Sequence, residues 1–320
     1  MNTTAAEQSL NPAVGVVCGV GAFLAWGFVP VYFKAVGQVS PLEIVGHRVV
    51  WSFLLLSLLV TALGRKSAFA ATLANARLRY LLMMTTTLIA TNWLLYIWAV
   101  TNHFVVEASI GYFINPLVNV LLGMVFLRER LRPLQGVSVA LAFVAVVALT
   151  VVRGALPWIP LGLAFTFGFY GLVRKISRVD GLIGLTVETA FLSGTALIGL
   201  IYAASTQLLI FGASTRTLDF LLVGSGIVTI VPLLLFGAAA RRVSLTAIGF
   251  MQYIAPTIQM LIGLAYGETL SGAEWNCLIV IWLALAIFTF DGYRRIRNRS
   301  NFAPPPPTHT QAANAATRVK

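Results

Sequence analysis

The residues able to do chemistry in this chain are few, and they stand inside long apolar runs. A charge within such a run costs about 2.5–3.5 kcal/mol if the run lies in a membrane, so each one needs a reason. Glu43, His47 and Arg48 form the first group, Glu188 stands alone as the second, and two proline-centred stretches form the third. Spacing of four puts Glu43, His47 and Trp51 on one helix face, with Arg48 displaced toward another helix. Ser40-Pro41-Leu42-Glu43 also fits an N-cap serine, a proline at the first helical position and a capping-box glutamate. Both readings stay open for this group: an ion pair that orders a gate, and contact with a solute. Glu188, in Leu185-Thr186-Val187-Glu188-Thr189, is a buried carboxylate that could carry a coupling proton or pair with Arg48 or a loop arginine.

The proline stretches carry uncharged polar groups. Ser109, Tyr112, Asn115, Asn119 and Gly123 fall within about 120° of one another at 100° per residue. Gly249, Gln252, Pro256, Gln259, Gly263 and Tyr266 cluster in the same way, with Tyr253 beside them. Pro116 and Pro256, like Pro30 and Pro232, lie within apolar runs, where each removes an N–H and bends the helix. A carbonyl freed at membrane depth is tolerated against protein or a water-filled cavity. Trp26, Asn92 and Tyr96 lie deeper than interfacial anchors do and could line the same cavity. The competing explanation is that small and polar residues only join helices.

Other chemistries find no footing. The chain has no HExxH, no GxSxG and no P-loop, so neither an intramembrane enzyme nor an ATP-driven machine is expected. Cys18 and Cys277 both fall inside apolar runs, which leaves no expected disulfide, metal or cofactor.

The elements that position these residues are set by hydrophobicity. Hydrophobic residues make up 58% of the 320 and charged residues 10%, and mean hydropathy is +0.88; a soluble fold could not cover itself with so few charges. With roughly 20 apolar residues per crossing, the chain divides into ten spans: 13–34, 41–63, 80–100, 105–127, 134–152, 157–175, 182–204, 217–239, 244–266 and 272–291. The net charge of +12 could signal a nucleic-acid partner, but its distribution says otherwise. Of 22 lysines and arginines, only Lys34, Arg153 and Arg216 fall on the side opposite the N-terminus, and Arg48 lies within a span. The remainder share the N-terminal side, which the positive-inside rule makes cytoplasmic. Tyr293–Arg299 is a basic cluster suited to anionic lipid, and the Pro304–Pro307 run continues into an unstructured tail.

The two halves also resemble each other at an offset of about 140 residues. Trp26-Gly27-Phe28 answers Phe167-Gly168-Phe169, Asn92 answers Pro232, Pro116 answers Pro256, Asn119 answers Gln259, Gly123 answers Gly263, and Glu129 answers Glu268. Glu188 occupies the position of His47. Five spans per copy is odd, so the second copy enters from the opposite face, the inverted arrangement of many secondary transporters. The expected organisation is residues 1–12 as a cytoplasmic segment, 13–152 and 153–291 as five-helix repeats, and 292–320 as a cytoplasmic tail.

Several stretches carry a family resemblance. Trp26-Gly27 with Pro30, Tyr32 and Lys34, Glu43 with His47-Arg48, Asn92-Trp93 with Trp98, and above all Glu107–Pro116 continuing to Glu129-Arg130-Leu131 resemble RarD-type proteins of the EamA family. In the second half, Asp180-Gly181, Thr186–Thr189, Gln252-Tyr253 with Pro256, and Gly267-Glu268 continue the likeness, which covers roughly residues 13–291. The resemblance implies an all-α fold of the drug/metabolite transporter superfamily, with a central cavity between inverted repeats. It also implies a secondary transporter of the inner plasma membrane that exports small-molecule solutes; the alternatives are a channel or a lipid scramblase. Solute identity and oligomeric state have no signature in the sequence.

Overall fold

The structure is a computed structural model that describes residues 12–128, 133–240, 242–243 and 251–301. Eleven helices follow in order: α1 (Pro12–Ala35), α2 (Pro41–Ala62), α3 (Lys66–Ala74), α4 (Ala76–Thr101), α5 (Val105–Leu127), α6 (Pro133–Arg153), α7 (Trp158–Ser177), α8 (Gly181–Ser205), α9 (Arg216–Ala240), α10 (Ile254–Ala265) and α11 (Gly272–Asn301). Nine of them are long and apolar enough to cross a membrane. The ninth expected span, 244–266, is described only from residue 251 and contains α10.

Side chains set where helices begin. The Ser40 hydroxyl accepts from the Glu43 amide at 3.2 Å with Pro41 at the first helical position, satisfying a donor that the helix itself leaves free. Asn75 caps α4 through Leu78 N at 3.1 Å, and Asp180 caps α8 through Leu182 N and Ile183 N. Large apolar side chains such as Val17, Phe143, Val151, Ile198 and Phe220 point outward, each more than two-thirds exposed, as a lipid-facing belt requires.

The most extensive helix pairings keep their pattern when the halves are exchanged, while lesser ones such as α1 with α4 and α4 with α5 have no counterpart of similar extent. The correspondence is α1 to α7, α2 to α8, α4 to α9, α5 to α10 and α6 to α11. The pair α1 with α9 then matches α7 with α4, α1 with α10 matches α7 with α5, and α2 with α9 matches α8 with α4. Three further pairs, α2 with α8, α5 with α10 and α6 with α11, are their own counterparts and lie across the exchange axis. The relation reaches single atoms. A Cβ on Gly27 would lie 3.0 Å from Ile258, and one on Gly168 would lie 2.9 Å from Val118.

Polar contacts between connections join ends that alternate crossing puts on one side. On the near side, where α1 begins, Arg65 pairs with Asp180 at 3.0 Å. On the far side, Lys34 Nζ lies 3.1 Å from His103 Nδ1.

Two expectations change. The connection at 64–79 contains a short helix, α3, packed against α2, α4 and α8. The apolar crossing ends at Asp291 as expected, but the helix does not end with it: α11 runs on to Asn301, since no proline stops it before Pro304. Residues 1–11, Glu129 and 302–320 lie outside the described residues.

Candidate solute site

Arg48 is the centre of the first cluster. It sits two turns into α2, where α1, α4 and α5 supply its surroundings. Its guanidinium carbon lies 4.2 Å from the centre of the Trp93 ring and 5.7 Å from that of Phe33, within cation–π range. Tyr112, Tyr96 and Tyr32 come from the same three helices that surround it. Tyr96 packs edge-on against both Tyr112 and Phe33, with centroids 5.6 and 6.1 Å apart. The Tyr32 hydroxyl donates to Leu221 O on α9. The Tyr96 hydroxyl, the Asn115 side-chain oxygen and Arg48 Nε are buried and have no hydrogen-bond partner.

A second cluster forms around α10. Helical hydrogen bonding lapses at Gln252-Tyr253 and resumes at Ile254. Pro256 therefore lies in the first turn of α10, where its missing N–H costs nothing. The expected mid-helix kink there is an interruption instead, and Tyr253 keeps helical dihedrals across it (φ −75°, ψ −12°). By contrast Pro30, Pro116 and Pro232 lie inside continuous helices. Gln259 Nε2 donates to Trp26 O at 3.0 Å, tying α10 to α1, while its own side-chain oxygen is buried without a partner. The Trp26 ring packs on Phe23 and on Phe236 of α9. Gln252 and Tyr253 are half-buried, and Asn119 is exposed.

The remaining candidates have partners. Asn92 Nδ2 donates to Leu163 O and Thr166 Oγ1 on α7, at 3.0 and 2.9 Å, so its amide joins two helices. Glu188 lies fully buried among Thr85, which donates to it at 2.6 Å, Tyr170 at 3.3 Å, and Arg174 at 3.6 Å. Its ion-pair partner is the arginine at the end of α7 rather than Arg48. Glu43 does not close a capping box: its carboxylate accepts from Ile210 N and Phe211 N, at 3.0–3.2 Å, in the α8–α9 connection. His47 Nδ1 accepts from Trp51 Nε1 at 3.3 Å, and its ring lies 4.6 Å from that of Phe211.

Two functional arrangements have no single signal in the sequence. Glu268 accepts from Val105 N and Val106 N at 2.8 and 2.7 Å, binding a carboxylate at the positive end of α5. Its only sequence mark is the correspondence with Glu129. The partners of Glu188 could be found from the spacing of Tyr170 and Arg174, four apart on one face of α7. Near the N-terminal side, the ends of α4, α5 and α7 enclose a cavity of about 600 Å³ lined by Arg77, Leu81, Leu127, Lys175 and Arg178 among others.

Known proteins share this sequence and this architecture. The profile of the EamA-like transporter family matches residues 13–151. An uncharacterized transporter of Vibrio cholerae is 44% identical over 281 residues, which is 88% of this chain and 93% of that protein. Protein RarD of Escherichia coli is 43% identical over 287 residues, 89% of this chain and 97% of its own. The chloramphenicol-sensitive protein RarD of Pseudomonas aeruginosa is 29% identical over 291 residues, covering 89% and 97%. A solved structure superimposes with TM-score 0.52 at 17% identity, covering 87% of this chain and 97% of that one, a likeness of fold alone. This chain is therefore a multi-pass membrane protein that belongs to the EamA-like transporter family, among its RarD-type members.

Proposed function

We propose that the chain is a secondary active transporter of the inner plasma membrane. In this reading it exports small metabolites or drug-like solutes by alternating access. The observation that carries the reading is the packing pattern that survives exchange of the halves. Exchanging the roles of the halves in the lesser pairs that lack a counterpart would give a second arrangement, opening the central site to the other side. The repeats are residues 13–152 and 153–291, and the family profile ends one residue short of the first boundary.

Support for the site comes from α1, α2, α4, α5 and α10. Trp26, Tyr96, Tyr112, Asn115, Asn119, Gln252, Tyr253 and Gln259 would line the solute path. The interruption at Gln252-Tyr253 resembles the broken helices that build midplane sites in transporters. Asn92 would act one step away, by fixing α4 against α7. On the far side Glu43 and Glu268 hold backbone amides, and Lys34 meets His103 and the Tyr266 ring. These contacts would form the outer gate, with His47 and Arg48 just beneath it, while the near side opens to the cytoplasm.

Both termini are assigned to the cytoplasm by the basic residues that crowd the near side. Arg77, Lys175 and Arg178 at the near-side cavity would meet anionic headgroups there.

Counterflow in proteoliposomes tests the reading. A transporter gives saturable, trans-stimulated exchange, whereas a channel or scramblase gives linear, uncoupled flux. Proton antiport would run through Glu188. Glu188→Gln is then expected to abolish uptake driven by a pH gradient, and unchanged uptake would rule that route out.

A further inference from the structure

Three carboxylates within the bundle are met by complementary groups: Glu188 by Arg174, Glu43 and Glu268 by backbone amides. Arg48 has no such complement. Among the described residues it makes no ion pair and no hydrogen bond, only ring contacts. We propose that Arg48 and Tyr96 form a subsite for organic oxyanions, carboxylates or sulfonates that carry an apolar body about the size of one ring.

The geometry of the guanidinium decides the class. Its five N–H groups lie in one plane and donate at the edges. Trp93 and Phe33 attend to its charge through their rings, which accept no in-plane hydrogen bond. The phenol oxygens around it could accept, but among the described residues none stands in hydrogen-bond geometry to those edges. Tyr32 spends its hydroxyl on Leu221 O, but the hydroxyl of Tyr96 is buried and unspent. An oxyanion would accept from the Arg48 edge in the paired geometry that arginine favours, and the free Tyr96 hydroxyl, one ring away across Phe33, would supply a further donor. A neutral amide would leave the charge unmet, and a cation would be repelled. Phe33, Tyr96 and Tyr112, packed ring on ring, supply the wall for the apolar body. Phe33 and Tyr96 are almost wholly buried, which places the subsite inside the bundle, away from lipid headgroups. The inference rests on the transporter reading of the same site and names its substrate class.

The test uses the purified full chain with three acids, benzoate, 3-phenylpropionate and benzenesulfonate, each beside its neutral amide. Binding is read as a saturable rise in thermal midpoint. At least one acid should bind, with its amide at least tenfold weaker. Arg48→Gln should erase the preference, and Tyr96→Phe should weaken the acid severalfold. If Arg48→Gln does not fold, Arg48→Lys carries the test, because it keeps the charge and loses the paired edge; acid affinity should fall about tenfold while the order of acid over amide holds. Equal binding of acids and amides, binding untouched by Arg48 variants, or no acid bound would overturn the proposal. Counterflow of the same acid separates the two claims. Acid binding without counterflow contradicts transport and leaves the subsite standing. Counterflow of neutral solutes only, indifferent to Arg48→Gln, contradicts the subsite and leaves transport standing.

Discussion

Glu43 and Glu188 both stand a short way into a helix, and spacing alone treats them alike. Their surroundings do not. Glu188 faces an arginine whose side chain is 15% exposed, so removing either charge strands the other in an apolar setting. Glu188→Gln and Arg174→Gln are each expected to cost about 1–3 kcal/mol, with the double substitution costing less than their sum. Additive losses in thermal midpoint would show that the pair is not coupled. Glu43 instead holds a connection in place. Glu43→Gln should raise hydrogen exchange at the amides of Ile210 and Phe211 by roughly tenfold or more while leaving α2 protected. Unchanged exchange there would contradict the contact. The cap at Ser40 was legible because it is local, three residues of spacing with a known geometry. The carboxylate's true partners lie more than 160 residues away on an irregular connection, which has no period to read.

At the scale of elements, apolar length located nearly every helix, since the bilayer fixes how many residues a crossing needs. It failed where another force sets the outcome. Hydrogen bonding lapses at Gln252-Tyr253 and α10 restarts just before Pro256, whereas Pro116, its counterpart, sits within an unbroken α5. The halves therefore share a sequence pattern without sharing its local consequence. Close approach between helices was likewise invisible, because a glycine's neighbours depend on the crossing. A Cβ on Gly111 would lie 2.8 Å from the carbonyl oxygen of Pro160, a backbone atom that cannot step aside. On Gly168 it would meet the side-chain methyls of Val118 and Leu122, which can. Overpacking costs about 1–3 kcal/mol and the helix gains about 1 from alanine. Gly111→Ala should thus lower the thermal midpoint clearly and Gly168→Ala little. The reverse order would contradict the α5–α7 packing.

For the molecule as a whole, the proposed orientation gives the excess of positive charge a topological role. In a chain with Cys18 and Cys277 replaced, Ala213→Cys on the far side should react with an impermeant maleimide in intact cells. Ser67→Cys in α3 should react only after permeabilisation, and the opposite result would invert the orientation. The proposed inverted duplication is read from matched residues such as Gly27 and Gly168. Which gate stands closed is not legible there, because it depends on contacts like those of Glu268 with the start of α5. The central claim is that solute crosses only when the far-side gate opens. A short bifunctional maleimide bridging Lys34→Cys and His103→Cys, whose native side chains meet at 3.1 Å, holds that gate shut in proteoliposomes. Bridging is expected to abolish counterflow, while an Asn115→Cys thiol masked as a reducible disulfide during bridging and released afterwards stays reactive from the near side. Counterflow that persists at the unbridged rate would contradict that claim.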